Sequence, residues 1–82
     1  MRMEYSPEVR ALYVRLGTGE VAETMELEEL VYVDLDAEGR PLGVEFVAAE
    51  DLLPFLERRG GVLDLAAEIE SRTTEPAAAA AP

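Results

Sequence analysis

The chain predicts an α+β fold: an antiparallel β-meander of four to five strands followed by one or two short C-terminal helices. Three observations predict it. Residues 1–46 alternate between apolar and polar side chains with period two, the pattern of strands that bury one face. From Ala48 onward the apolar residues recur at helical spacing instead. From residue 73 onward the composition is Thr, Glu, Pro and Ala, which offers little to bury. The expected organisation is therefore one domain over 1–72 and a disordered Ala/Pro tail over 73–82.

Met1, Met3 and Tyr5 alternate with Arg2 and Glu4 to open the first strand, and Ser6-Pro7-Glu8 supplies a turn because proline pre-sets φ for it. The second strand runs from Ala11 to Leu16, with Leu12, Val14 and Leu16 on one face and Ala11, Tyr13 and Arg15 on the other. Gly17-Thr18-Gly19-Glu20 then reads as a tight hairpin that returns Val21–Leu27 antiparallel to the second strand. Beyond Glu28-Glu29, Val31, Val33 and Leu35 form the most regular aliphatic row. A two-residue turn at Glu38-Gly39 sets Leu35 opposite Leu42, Val33 opposite Val44 and Val31 opposite Phe46. Tyr32, Asp34, Asp36, Pro41, Gly43 and Glu45 are left on the other, largely acidic face.

Glu50 to Glu57 predicts a short helix. Pro54 disfavours helical backbone at Leu53, so the expectation is one turn, a break, and a second turn from Pro54. Arg58 and Arg59 suit its C-terminal dipole and Gly60-Gly61 its cap. Val62, Leu65, Ala66 and Ile69 predict a second helix over about 62–71, with a short edge strand over 61–65 as the alternative.

Composition excludes much chemistry. The 82 residues carry 18 Asp and Glu against seven Arg, for a formal charge of -11, with neither His nor Cys and no Lys. Zinc sites of Cys or His, thiol nucleophiles, disulfides, imidazole bases, Schiff bases and Ser-Lys dyads are thereby unavailable. The reading is that the protein is not an enzyme, needs no cofactor, and resides in the cytoplasm, where disulfides are not required. Scattered arginines and the acidic balance argue against nucleic acid as a partner, and the apolar runs are too short for a membrane span. A chain this short buries only about 60–65% of its unfolded surface, so homo-oligomerisation is expected, a C2 dimer first.

The sharpest local pattern is Asp34-Leu35-Asp36-Ala37-Glu38-Gly39 with Glu45 six residues on. It places oxygen ligands at calcium-loop positions 1, 3 and 5, glycine at 6 and glutamate at 12. The flanks alternate as strands rather than helices, and Pro41 stands at position 8, so a hairpin turn is the preferred reading. Asp34, Asp36, Glu38 and Glu45 are retained only as weak candidates for a divalent-cation site. Asp34, Asp36 and Glu45 could also pair as acid and base beside Tyr32, but nothing completes a pocket or an oxyanion hole. Ala11, Tyr13, Tyr32 and Gly43 give the second sheet face a mixed small and aromatic character suited to self-association.

Glu4-Tyr5-Ser6-Pro7-Glu8-Val9-Arg10-Ala11-Leu12-Tyr13-Val14-Arg15-Leu16, with Val31 to Glu45 further on, resembles domain-of-unknown-function family 2283, small bacterial proteins. The resemblance covers about residues 3–47; Ser6 departs from the commoner Asp, and Glu28-Glu29-Leu30 lacks the usual Asp-Gly turn. It implies a compact strand meander with a helical extension and carries over no catalytic residue. Some genes of the family are thought to lie beside small toxin genes, so the resemblance and the -11 charge together suggest an alternative, an acidic antitoxin-like binder of a basic protein. The preferred expectation is a structural or protein-interaction domain that self-associates through its sheet.

Overall fold

A computed structural model describes the backbone of residues 1–80 and the side chains of 1–72. Five strands, β1 (Arg2–Ser6), β2 (Ala11–Arg15), β3 (Glu23–Glu28), β4 (Val31–Leu35) and β5 (Pro41–Phe46), are followed by a 3-10 turn at Ala49–Asp51 and two helices, α1 (Leu52–Glu57) and α2 (Leu65–Ala80). All pairings are antiparallel, in the order β1-β2-β5-β4-β3. The α+β arrangement is the predicted one.

The meander order is not. β2 pairs with β5, and the expected hairpin at Gly17-Thr18-Gly19-Glu20 does not form. Instead the chain crosses the ends of the two central strands and starts β3 at the far edge, which makes β2-β5-β4-β3 a Greek-key order. Leu16 and Gly17 both donate their N–H to the Leu42 carbonyl at 2.9 and 3.2 Å, and Ala22 donates to the Leu35 carbonyl at 2.8 Å. The two glycines let the connection lie close over Leu42, where a Cβ at Gly19 would stand 3.5 Å from its side chain. Burial explains the choice of partner. β5 buries Leu42, Gly43, Val44 and Phe46 and requires a strand on each side, whereas glutamate-rich β3 loses nothing at an edge.

The β4–β5 register is as expected through Val31↔Phe46 and Val33↔Val44, then shifts so that Leu35 pairs with Pro41. The turn has three residues rather than two. Asp36 and Arg40 close it, Gly39 takes the left-handed position with φ 82°, and the extra residue is absorbed as a bulge. In the β3–β4 turn Leu30 is itself left-handed, a bulge falls between Glu26 and Glu28, and Leu27 is buried in the core.

The core lies on one face of the sheet: Leu12, Leu27, Val31, Val33, Leu35, Val44 and Phe46, closed by Phe55 of α1. Pro54 occupies the first turn of α1, where its missing N–H has no intrahelical partner to lose. The expected break at Leu53 is therefore absent; the discontinuity is the passage from 3-10 to α geometry at Leu52. Gly61 donates to the Leu56 carbonyl at 2.8 Å and Gly60 to Glu57, both with positive φ, which ends α1 as a Schellman-type cap. Residues 62–64 are neither helix nor strand, and α2 begins at Leu65 after Asp64. Asp64 Oδ1 accepts the Ala67 N–H at 3.2 Å, so it is the N-cap. The backbone of 73–80 continues α2 across the segment read from sequence as a tail; its side chains, and residues 81–82, lie outside the described residues.

Candidate functional site

Gly43 organises the polar face. It stands between Arg15 on β2 and Asp34 on β4, and the Tyr13 side chain fills the space its missing side chain leaves: a Cβ there would lie 2.1 Å from the Tyr13 hydroxyl. Lying across Gly43, Tyr13 donates its O–H to Asp34 Oδ2 at 2.8 Å, and Thr24 donates to Oδ1 at 2.7 Å. Asp34 thus ties β2, β3 and β4 together over β5. Arg15 sets its guanidinium 5.2 Å from the Tyr13 ring centre and pairs with Glu4 on β1 at 2.9 Å. Of the face read from sequence as suited to self-association, Tyr13 and Gly43 are engaged by these contacts.

Burial, and then the hydrogen bond to ionised Asp34, push the Tyr13 hydroxyl up to about 12. A phenol with a raised folded-state value lends stability that is whole below its ordinary value of 10 and is lost as pH climbs toward 12. We expect the alkaline limb of the melting profile to flatten in Tyr13→Phe. Unfolding followed by circular dichroism between pH 9 and about 12 checks this, the window following from the titration range. An unchanged limb would show that Tyr13 is not its source.

The four acids of the 34–45 hairpin are not brought together. Asp34 is held by Tyr13 and Thr24. Asp36 Oδ1 accepts the N–H groups of Glu38 and Arg40 at 2.9 and 2.8 Å, and these backbone contacts, foremost that of Arg40, lower its carboxyl below the usual range. Glu38 sits in the turn against Arg40, and Glu45 lies opposite Tyr32. Among the described residues no three acids are grouped to hold a metal ion. The calcium-loop spacing is met in sequence, but a hairpin turns its ligands outward instead of around a centre.

On the helix-bearing face, the helices cover β3, β4 and β5 and leave β1 bare. An open apolar groove of about 330 Å³ lies there, lined by Met1, Met3, Val14, Leu16, Val44, Phe46, Leu52, Leu56, Leu63 and Leu65. Met1 is 90% exposed, Met3 58% and Tyr5 53%, although all three stand on the face that elsewhere forms the core. Sequence alternation places them on a buried face; among the described residues the helices leave them exposed.

At the opposite side Arg59 binds the helices to the sheet. Its Nη1 donates to Glu28 Oε1 at 3.0 Å and to the Phe55 carbonyl at 3.1 Å, its Nε to Glu68 Oε2 at 2.6 Å, and its guanidinium lies 3.7 Å over the Phe55 ring. Arg58 also contacts Glu28, and Arg72 reaches Glu68 and the Leu27 carbonyl. Sequence marks Arg58 and Arg59 as partners of the helix dipole; their role as cross-links depends on the tertiary structure.

The model of a family described as "Protein of unknown function (DUF2283)" matches residues 2–49. The chain belongs to the DUF2283 family. The DUF2283 match spans all five strands, so β1, Gly43 and the Tyr13–Asp34–Thr24 cluster lie inside it, while Arg58, Arg59, α2 and the leucines of the groove's far wall follow it. No curated protein and no solved structure matches the chain. Among the described residues no helix is long and apolar enough to cross a membrane.

Proposed function

We propose that this DUF2283 chain is a non-enzymatic interaction module that self-associates through its sheet in a reducing, cytoplasmic compartment. The observation that carries the reading is the open apolar groove beside β1, which sets exposed Met1 and Met3 against Leu16 and the leucines of α1 and the 62–65 segment. A small domain with a shallow core gains most from covering such a surface. The lack of His, Cys and Lys supports a binding role over a catalytic one, and the lack of Cys suits a reducing compartment.

Sedimentation velocity across a hundred-fold concentration range tests the proposal. The expected result is a monomer that converts to a dimer as concentration rises into the micromolar range. A strictly monomeric chain up to about 1 mM, where only binding weaker than about 4 kcal/mol goes unseen, would refute it.

A further inference from the structure

We infer that β1 is the dimer contact: two copies pair their β1 strands antiparallel about a two-fold axis at Met3, joining the sheets into one of ten strands. This rests on the self-association reading above and specifies its geometry.

The backbone of β1 is built for a partner. Leu16 donates to the Leu42 carbonyl, which points the N–H and C=O groups of Leu12, Val14 and Leu16 toward β5 and those of Ala11, Tyr13 and Arg15 toward β1. Their partners Ser6, Glu4 and Arg2 therefore spend their backbone groups on β2, and the groups of Met3 and Tyr5 point out of the sheet edge. An edge strand with such a row is a template for another strand unless something blunts it. β3, the other edge, is blunted: it carries Glu23, Glu26 and Glu28, a bulge, and Arg72 of α2 on its Leu27 carbonyl. β1 pairs with β2 without a bulge, and among the described residues nothing buries its Met3 or Tyr5.

Charge selects the second copy as occupant and fixes the register. With Met3 opposite Met3, Arg2 of each copy stands opposite Glu4 of the other, in the pair type whose side chains approach most closely. Centring the pair on Glu4 instead would oppose two glutamates. Arg2 already pairs with Glu4 of its own strand at 3.2 Å, through a side chain that is 75% exposed and so lies within reach of the second copy's Glu4 as well. On the apolar face the same register sets Met1 beside Tyr5 of the second copy and brings the two grooves together across the axis, covering the rows that the helices leave bare.

The test uses the full chain, by sedimentation velocity, as wild type, Met3→Glu and Arg2→Glu. Met3→Glu puts two carboxylates on the axis and should weaken dimerisation at least 100-fold while the circular dichroism spectrum stays unchanged. Arg2→Glu should weaken it about tenfold, an effect specific to this register. Met3→Cys supplies the chain's sole thiol and should form a covalent dimer under mild oxidation, since paired strands bring the two residues within disulfide reach; this variant decides the matter if Met3→Glu does not fold. A wild type that never dimerises overturns both this inference and the self-association reading. A dimeric wild type with equally dimeric Met3→Glu, or with Met3→Cys that does not cross-link, overturns the β1 contact alone.

Discussion

Phe55→Ala is expected to cost about 3–5 kcal/mol, the largest effect of any single truncation in α1, because it removes that helix's one fully buried side chain. The ring meets Phe46 edge-to-face, with centroids 5.1 Å apart and planes at 84°, and carries the Arg59 guanidinium on its face. Alanine leaves a cavity between helix and sheet and removes both aromatic contacts. A domain of this size has about 4–12 kcal/mol in all, so the variant should lose at least about a quarter of its stability. Urea denaturation checks it, with Phe55→Leu, which keeps most of the volume, expected to lose less than half as much. A loss under about 1 kcal/mol would mean that α1 is not held by this ring, since a filled core site costs more.

Arg59→Ala is expected to destabilise by about 2–4 kcal/mol, in the range for removing one partner of a largely buried ion pair. Its side chain is only 15% exposed and serves Glu28 and Glu68 together, so truncation removes one of two arginine contacts from each carboxylate and leaves Arg58 on Glu28 and Arg72 on Glu68. Arg59→Lys should recover only part, because an ammonium can neither fork to both acids nor stack on Phe55. The pH dependence follows from Glu28. Burial works to raise its carboxyl, but the contacts from Arg58 and Arg59 outweigh it and hold the group below the usual range. A lowered carboxyl lends stability above its ordinary value near 4.5 that is lost as pH falls through the folded value. The acid limb should therefore be shallower in Arg59→Ala than in wild type. Denaturation at pH 7 and across pH 2–5 measures both effects; parallel acid limbs would show that Glu28 does not depend on Arg59.

Local pattern made the strands legible and topology did not follow from it. The alternation of Val31, Val33 and Leu35 against Val44 and Phe46 carried both the strands and most of their register. Gly17 and Gly19 misled because glycine serves equally in a tight hairpin and in a chain crossing close over Leu42, and only the competition of β3 and β5 for β2 decides between them. Asp64 was readable as an N-cap three residues before Ala67, yet the apolar Val62 and Leu63 drew the predicted helix start too early. The hairpin turn of the 34–45 segment is legible, but Asp34 and Glu45 stand on β4 and β5, and the engagement of Asp34 by Tyr13 and Thr24 depends on neighbours ten or more residues away. The bare groove was invisible for the same reason. Alternation marks Met1, Met3 and Tyr5 as facing the core side, and only the tertiary structure shows that they stand exposed among the described residues.

Residue-resolved amide hydrogen exchange, at one concentration where sedimentation gives monomer and one where it gives dimer, tests most directly the claim that β1 is an open edge awaiting a second copy. The Glu4 amide faces β2 and should be protected at both. The Met3 and Tyr5 amides should exchange freely in the monomer and become protected in the dimer. Fast exchange of Met3 and Tyr5 at both concentrations would contradict the account.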